Sequence, residues 1–395
     1  MDSDPKLLDD LHETLRTAGP DAAIDRLCAE LTARRDFHGL FYALLMKKRH
    51  ALGVSAVPTG SNQDLPADVH AAFEEGIREA ARTAGRLCLE AGNIPQAWAY
   101  YRMLGETGPV AEALAKVEPA EDQDLQPLIE IALHHGVLPD RGYEWVLKRY
   151  GICSAITTLS GELPLTPAAR AACIRRLVRA LHEELLQRLR AEIARQQGFE
   201  PTGATVRELI AGRDWLFADD FYHIDLSHLN STVQMAMQLD DGPELELARD
   251  LCAYGKRLSP RFRFQADPPF EEQYADYDWY LAALTGADVA GGIAHFRAKV
   301  EAADPETIGT FPAEVLVNLL LRLNRPDEAL AISRQRLAAI GEGRLSCPSF
   351  VELCQRTGNY QALAEVARAQ GHAINFVAGL LESQRSEVRG QKSEV

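Results

Sequence analysis

Apolar residues recur at helical intervals along this chain, and glycine paired with proline or asparagine cuts the runs into helix-length pieces. Such a pattern directs a chain toward packed helices. In residues 5–18 the apolar positions are Leu7, Leu8, Leu11 and Leu15, at i, i+1, i+4 and i+8. Gly19 and Pro20 end that run, because glycine takes the left-handed cap conformation and proline is preset for a first helical turn. The next run carries Ile24, Leu27, Cys28 and Leu31 on one face, and a third is expected from about Phe37 to Leu52. Strand-favouring residues are sparse, while Ala, Leu, Glu and Arg dominate. The expected fold class is therefore all-α, with helical hairpins stacked as an α-α superhelix.

Punctuation divides the chain further. Residues 53–66 are rich in Gly, Pro, Ser and Asn and read as a loop. A long helix is expected from about Ala67 to Ala91, stopped by Gly92 and Asn93. Residues 165–197 read as one long amphipathic helix, capped by Thr166, opened by Pro167 and closed by Gly198. This gives an N-terminal helical domain over 1–160, a long connecting helix over 161–200 and a helical repeat region over 201–382. Residues 383–395 are polar without an apolar period and read as a disordered tail.

The C-terminal region repeats itself. Residues 280–286 (YLAALTG) precede a helix with Gly292 and Phe296, and residues 316–324 (LVNLLLRLN) precede one with Ala329 and Leu330. Residues 350–358 (FVELCQRTG) precede a third containing Leu363. Gly292 to Ala329 is 37 residues and Ala329 to Leu363 is 34. A compact residue early in each second helix lets it approach the first closely. Residues 89–101, with Ala97, have the same look. These units resemble the tetratricopeptide repeat, a helical hairpin of 34 residues. The full consensus of that family is absent, so the repeats are degenerate. The resemblance implies a scaffold whose first helices line a groove for a protein or peptide.

Charge narrows the choice of partner. The 395 residues carry a formal net charge of −15, which disfavours nucleic acid and anionic membranes. No basic and apolar leader is visible at the start, and the most apolar run, 315–323, is too short to span a bilayer. Seven cysteines are scattered with no CxxC pair. A soluble cytoplasmic protein with reduced thiols is expected.

The most unusual stretch is 214–280, which holds 12 of the chain's 28 aromatic residues interleaved with carboxylates. Aromatic faces beside acceptor oxygens suit a basic peptide or a polar ligand. Trp215, Tyr222, Tyr274, Tyr277 and Trp279 are the candidate ligand-binding residues, and a core filled by these rings is the competing reading. Within the stretch lie Asp219, Asp220, His223, Asp225 and His228. On a helix Asp219 would meet His223 and Asp225 would meet His228, whereas the two histidines would lie about 140° apart. His223, Asp225 and His228 are weak catalytic candidates, and Asp219, His223, Asp225 and His228 weak candidates for a divalent metal. No other cofactor is expected: no GxxxxGK[ST], no GxGxxG after a strand and no GxSxG occurs. Glu130 and His134 could meet across one helical turn, with Cys153 downstream as a nucleophile. Seven arginines make 165–197 the one locally basic element. An interaction scaffold is the leading expectation, and an all-α enzyme or metal-binding protein using residues 219–228 is the alternative.

Overall fold

The computed structural model describes residues 5–57, 65–263, 266–341 and 343–393, with side chains as far as 385. Every regular element among the described residues is helical. The chain divides into two compact units, Met1–Cys173 and Ile174–Val395.

The first unit opens with α1 (Pro5–Ala18), α2 (Pro20–Ala33) and α3 (Phe37–Ala51). The stop between α1 and α2 is the one expected from Gly19–Pro20, and α3 starts as expected at Phe37, where the Asp36 carboxylate caps it by accepting from the Gly39 N–H at 2.8 Å. The loop expected at 53–66 is non-helical where described, and residues 58–64 lie outside the described residues. Next come α4 (His70–Glu90), α5 (Ile94–Leu104), α6 (Gly108–Ala115) and α7 (Gln126–Ile129). Residues Glu130–His134 continue α7 as one π turn, and α8 (Pro139–Ser160) follows. Helices α1 to α6 each pack against the one before. At the α4–α5 hairpin a Cβ on Gly85 would come within 2.8 Å of the Tyr101 ring, and Ala97 is fully buried. Absence of side-chain bulk sets that close approach.

The long helix α9 (Pro167–Gln197) has the expected extent and cap, with the Ala169 N–H donating to Thr166 Oγ1 at 3.2 Å. The division between the two units falls inside it. The second unit continues with α10 (Val206–Ile210), α11 (Leu226–Ala236) and α12 (Glu244–Arg257). Three hairpins then follow: α13 (Gln273–Leu284) with α14 (Val289–Ala302), α15 (Phe311–Arg322) with α16 (Pro326–Arg336), and α17 (Phe350–Thr357) with α18 (Tyr360–Gln370). Each helix from α12 to α18 packs on its predecessor, and α13 also touches α15, the first helix of the next hairpin. Last comes α19 (Ala373–Ser393), which packs on α18 and takes in most of the segment expected to be a disordered tail. Residues 394–395 lie outside the described residues.

The compact residues singled out in the sequence sit at these hairpin contacts. A Cβ on Gly292 would lie 2.7 Å from the Ala283 Cβ and 2.8 Å from the Trp279 carbonyl oxygen, so α14 rests on the backbone of α13. Gly292→Val is expected to cost about 1–3 kcal/mol by forcing that contact apart, as overpacking does. Urea denaturation measures it, and an unchanged midpoint would show that the two helices do not meet there. Ala329 and Leu363 are buried at the equivalent places of α16 and α18. The hairpins are unequal, however. Helix α17 has 8 residues where α13 and α15 have 12.

No helix among the described residues is long and apolar enough to cross a membrane. All seven cysteines are free, and five are buried.

Candidate functional site

The aromatic stretch 214–280 divides into two populations. Tyr254, Phe270, Tyr274, Tyr277 and Tyr280 are buried. Tyr274 packs over Gly255 of α12, where a Cβ would come within 2.4 Å of its ring. The Tyr277 hydroxyl accepts from Gln234 Nε2 at 3.0 Å. Of the expected ligand-binding residues, then, Tyr274 and Tyr277 are core. Trp215, Tyr222 and Trp279 are 36%, 46% and 37% exposed, and Phe221, at 53%, joins them. Phe264 lies outside the described residues.

Several carboxylates of the stretch are held in ion pairs. Asp214 pairs with Arg257, Asp220 with Arg261, and Asp278 with Arg249 at 3.0 Å and Lys256 at 2.7 Å. The arginines also lie over rings: Arg257 is 5.1 Å from the centre of Phe217 and Arg261 is 5.0 Å from that of Phe262. The basic face of the long helix is similarly engaged. Arg175 and Arg179 pair with the buried Glu244, and Arg188 and Arg195 with Glu184 and Glu192.

Residues 219–228 do not form the helix that would pair their side chains. Asp219 and Asp220 both take left-handed backbone, with φ of 54° and 58°, so the chain turns sharply before His223. Asp225 caps α11, accepting from the Ser227 N–H at 2.8 Å, the Ser227 hydroxyl at 2.5 Å and the His228 N–H at 3.3 Å. The Ser227 hydroxyl and these N–H groups hold its carboxyl below the ordinary range. His223 is 6% exposed and enclosed by Phe217, Phe221 and Tyr254. Its main-chain N–H donates to the Tyr254 hydroxyl at 2.7 Å, and its Nδ1 lies 3.1 Å from the same oxygen. Burial pushes the imidazole down to about 4, with Glu192 working weakly against the shift and Arg188 weakly adding to it. Asp219, His223, Asp225 and His228 are not brought together as metal ligands: among the described residues no group of three or more His, Cys, Asp or Glu could hold a metal ion. Nor does the α-helical turn expected for Glu130 and His134 form, since those residues lie in the π turn; the His135 ring packs instead 5.6 Å from Trp98.

One cluster does combine an exposed ring with titratable groups. Asp276 of α13 is 1% exposed and accepts from the Glu272 N–H at 2.8 Å. Its other oxygen lies 2.7 Å from Nε2 of His295 on α14. Lys299, one turn further along α14, bridges Asp276 at 2.9 Å and Glu271 at 2.6 Å. Burial works against the Lys299 ammonium, but the hydrogen bonds it donates to Glu271 and Asp276 outweigh it and hold its pKa above the ordinary value. Likewise burial would raise Glu271, and Lys299 holds it down. The Asp276 carboxylate accepts from His295 Nε2. Trp279 stacks on the His295 ring, with centroids 5.6 Å apart and planes at 20°. The result is a rigid, partly exposed indole–imidazole pair held from beneath by a buried carboxylate. It can present a flat surface to a partner.

Sequence reasoning singled out Asp276 and Trp279 but missed His295 and Lys299. Their i, i+4 spacing on α14 was the available signal. Compared with protein-family models, with curated proteins and with solved structures, the chain gives no match, so its functional reading rests on this geometry.

Proposed function

We propose that the chain is a tetratricopeptide-like interaction scaffold that docks a protein or peptide through exposed aromatic side chains of its second unit. The observation that carries this reading is the survival of Trp215, Phe221, Tyr222 and Trp279 at the surface of a segment in which Tyr254, Phe270, Tyr274, Tyr277 and Tyr280 are buried. Large rings at a surface bring contact area with little entropy to lose, which is why Trp and Tyr dominate binding hot spots. Consecutive hairpin packing from α13 to α18 supports a repeat scaffold. Because the carboxylates already hold Arg249, Lys256, Arg257, Arg261 and Lys299, an apolar or aromatic-bearing segment fits better than a purely basic one.

The test is a peptide-display selection on the whole protein, followed by affinity measurement. Replacing Trp215, Phe221, Tyr222 and Trp279 together by Ala should weaken the selected peptides at least about tenfold, with a thermal midpoint close to wild type. Equal affinity in the variant would refute the surface. Tyr277 is unsuitable as a probe, because its ring is core.

A further inference from the structure

Two apolar surfaces of the chain are open to solvent. The first is a groove of about 470 Å³ in the first unit, formed by α1, α2, α3 and the segment after α3. Leu11 and Leu15 of α1, Ile24 and Leu27 of α2 and Met46 of α3 are among its lining residues. Leu15 is exposed, and the lining is almost wholly apolar.

The second surface is on α19. A Cβ on Gly379 would come within 2.8 Å of the Ala364 main-chain nitrogen and 2.9 Å of the Tyr360 carbonyl oxygen, so that side of α19 rests on α18. Ile374, Val377 and Leu381, at i, i+3 and i+7, form a stripe nearly opposite Gly379 around the helix. All three are exposed, Ile374 at 85%, and Leu380 beside them is exposed too. Contiguous apolar surface of this kind marks an interaction site.

The two surfaces complement each other in length and charge. A helix with anchors at i, i+3 and i+7 is a common occupant of an apolar groove. Ile374 and Leu381 are seven residues apart, as are Pro20 and Leu27 along the groove wall, which makes about 10 Å of helix in each case. The groove walls are acidic. Helices α1 and α2 together carry six acidic residues against three basic ones, and the exposed Asp21 lies 3.7 Å from the groove-lining His50. In a chain of net charge −15, α19 is locally basic, with Arg385, Arg389 and Lys392 against Glu382 and Glu387. Pairing α19 with a second α19, or groove with groove, would instead set like net charges against each other.

We propose that α19 of one copy seats its Ile374, Val377 and Leu381 stripe in the α1–α3 groove of a second copy, so that the chain self-associates head to tail. None of these residues belongs to the exposed rings of the proposed docking surface, so failure of this contact would leave the scaffold reading untouched.

Sedimentation velocity on the whole protein is the test. Two helical turns in one groove make a contact smaller than a standard interface, so the average mass should rise with protein concentration between about 1 μM and about 500 μM. Leu381→Glu spoils the stripe and Leu15→Glu the groove, both at exposed positions, and each should weaken association at least about tenfold. An equimolar mixture of the two variants should form a dimer and stop there, because the mixture retains one intact stripe and one intact groove per pair. Recovery in the mixture also shows that both variants are folded. A monomer at every concentration, a single variant that associates like the parent, or a mixture that stays monomeric would each overturn the proposal. Unchanged association of Leu15→Glu in particular would point to symmetric pairing through α19.

Discussion

Truncating Phe296 to Ala should destabilise the second unit by about 3–5 kcal/mol, the usual loss for a buried phenylalanine. Phe296 is fully buried on α14. It sits 5.7 Å from the Phe270 ring and 5.6 Å from that of Tyr280, the latter nearly edge-on at 87°. The side chain thus joins α14 to α13 and to the segment leading into it. Removing it takes away the transfer energy of the ring and leaves a cavity that rigid neighbours fill only in part. Urea denaturation should show a lower midpoint, and Phe296→Leu should retain much of what Ala loses. A loss below about 1 kcal/mol would mean that the ring is not packed as described.

Acid should expose the histidine that lies in the core. A folded-state pKa near 4 for His223 lies below its ordinary value of 6.5. The unfolded chain therefore binds this proton first as pH falls. The resulting stability is intact above about pH 6.5, declines through the window between the two values and is fully lost below about pH 4. From pH 7 to pH 4.5 the group should cost about 2–3 kcal/mol, at about 1.4 kcal/mol for each pH unit of depression. Other acid-sensitive groups contribute as well, Asp225 and Glu314 among them, since both carboxyls are held low by hydrogen bonds. The informative quantity is consequently a difference. His223→Gln should be less stable than the parent at pH 7, yet lose about 2–3 kcal/mol less on acidification to pH 4.5. Parallel pH profiles for the two proteins would mean that the imidazole is hydrated.

How far the sequence foretold this structure depends on which physical signal each feature uses. Helix ends written in local chemistry were legible. Gly19 with Pro20 separates α1 from α2, and Gly358 with Asn359 separates α17 from α18. Compact residues at Gly292 and Ala329 also marked real contacts, because close helix packing needs small side chains wherever it occurs. The sorting of 214–280 into core and surface was harder to read. Much of that segment is irregular, with left-handed backbone at Asp219 and Asp220, so no helical period fixes which way a ring faces. Within α13 the period does help. Tyr274, Tyr277 and Leu281 follow one buried stripe, and Trp279 falls off it.

The polar groups illustrate the same limit. Asp225 stands directly before an apolar helix, which is a capping position legible from local sequence. The pairing of Asp276 with His295 and Lys299 spans 19 and 23 residues and depends on the register of α14 against α13. Composition cannot supply that register. Nor can it reveal that Asp214, Asp220, Asp276 and Asp278 are bound by arginines and lysines from α12 and α14 and the segment after α12.

Neighbour-on-neighbour packing of hairpins is the claim beneath all of this, and hydrogen exchange on the Phe296→Ala protein tests it most directly. In a stack where each helix leans mainly on those beside it, a cavity loosens its own hairpin and the next before it reaches the far end. Backbone amides of α13, α14 and α15 should exchange much faster than in the parent, while those of α18 keep nearly parental protection. Uniform acceleration from α13 through α18, or acceleration confined to helices that do not adjoin α14, would contradict the stack.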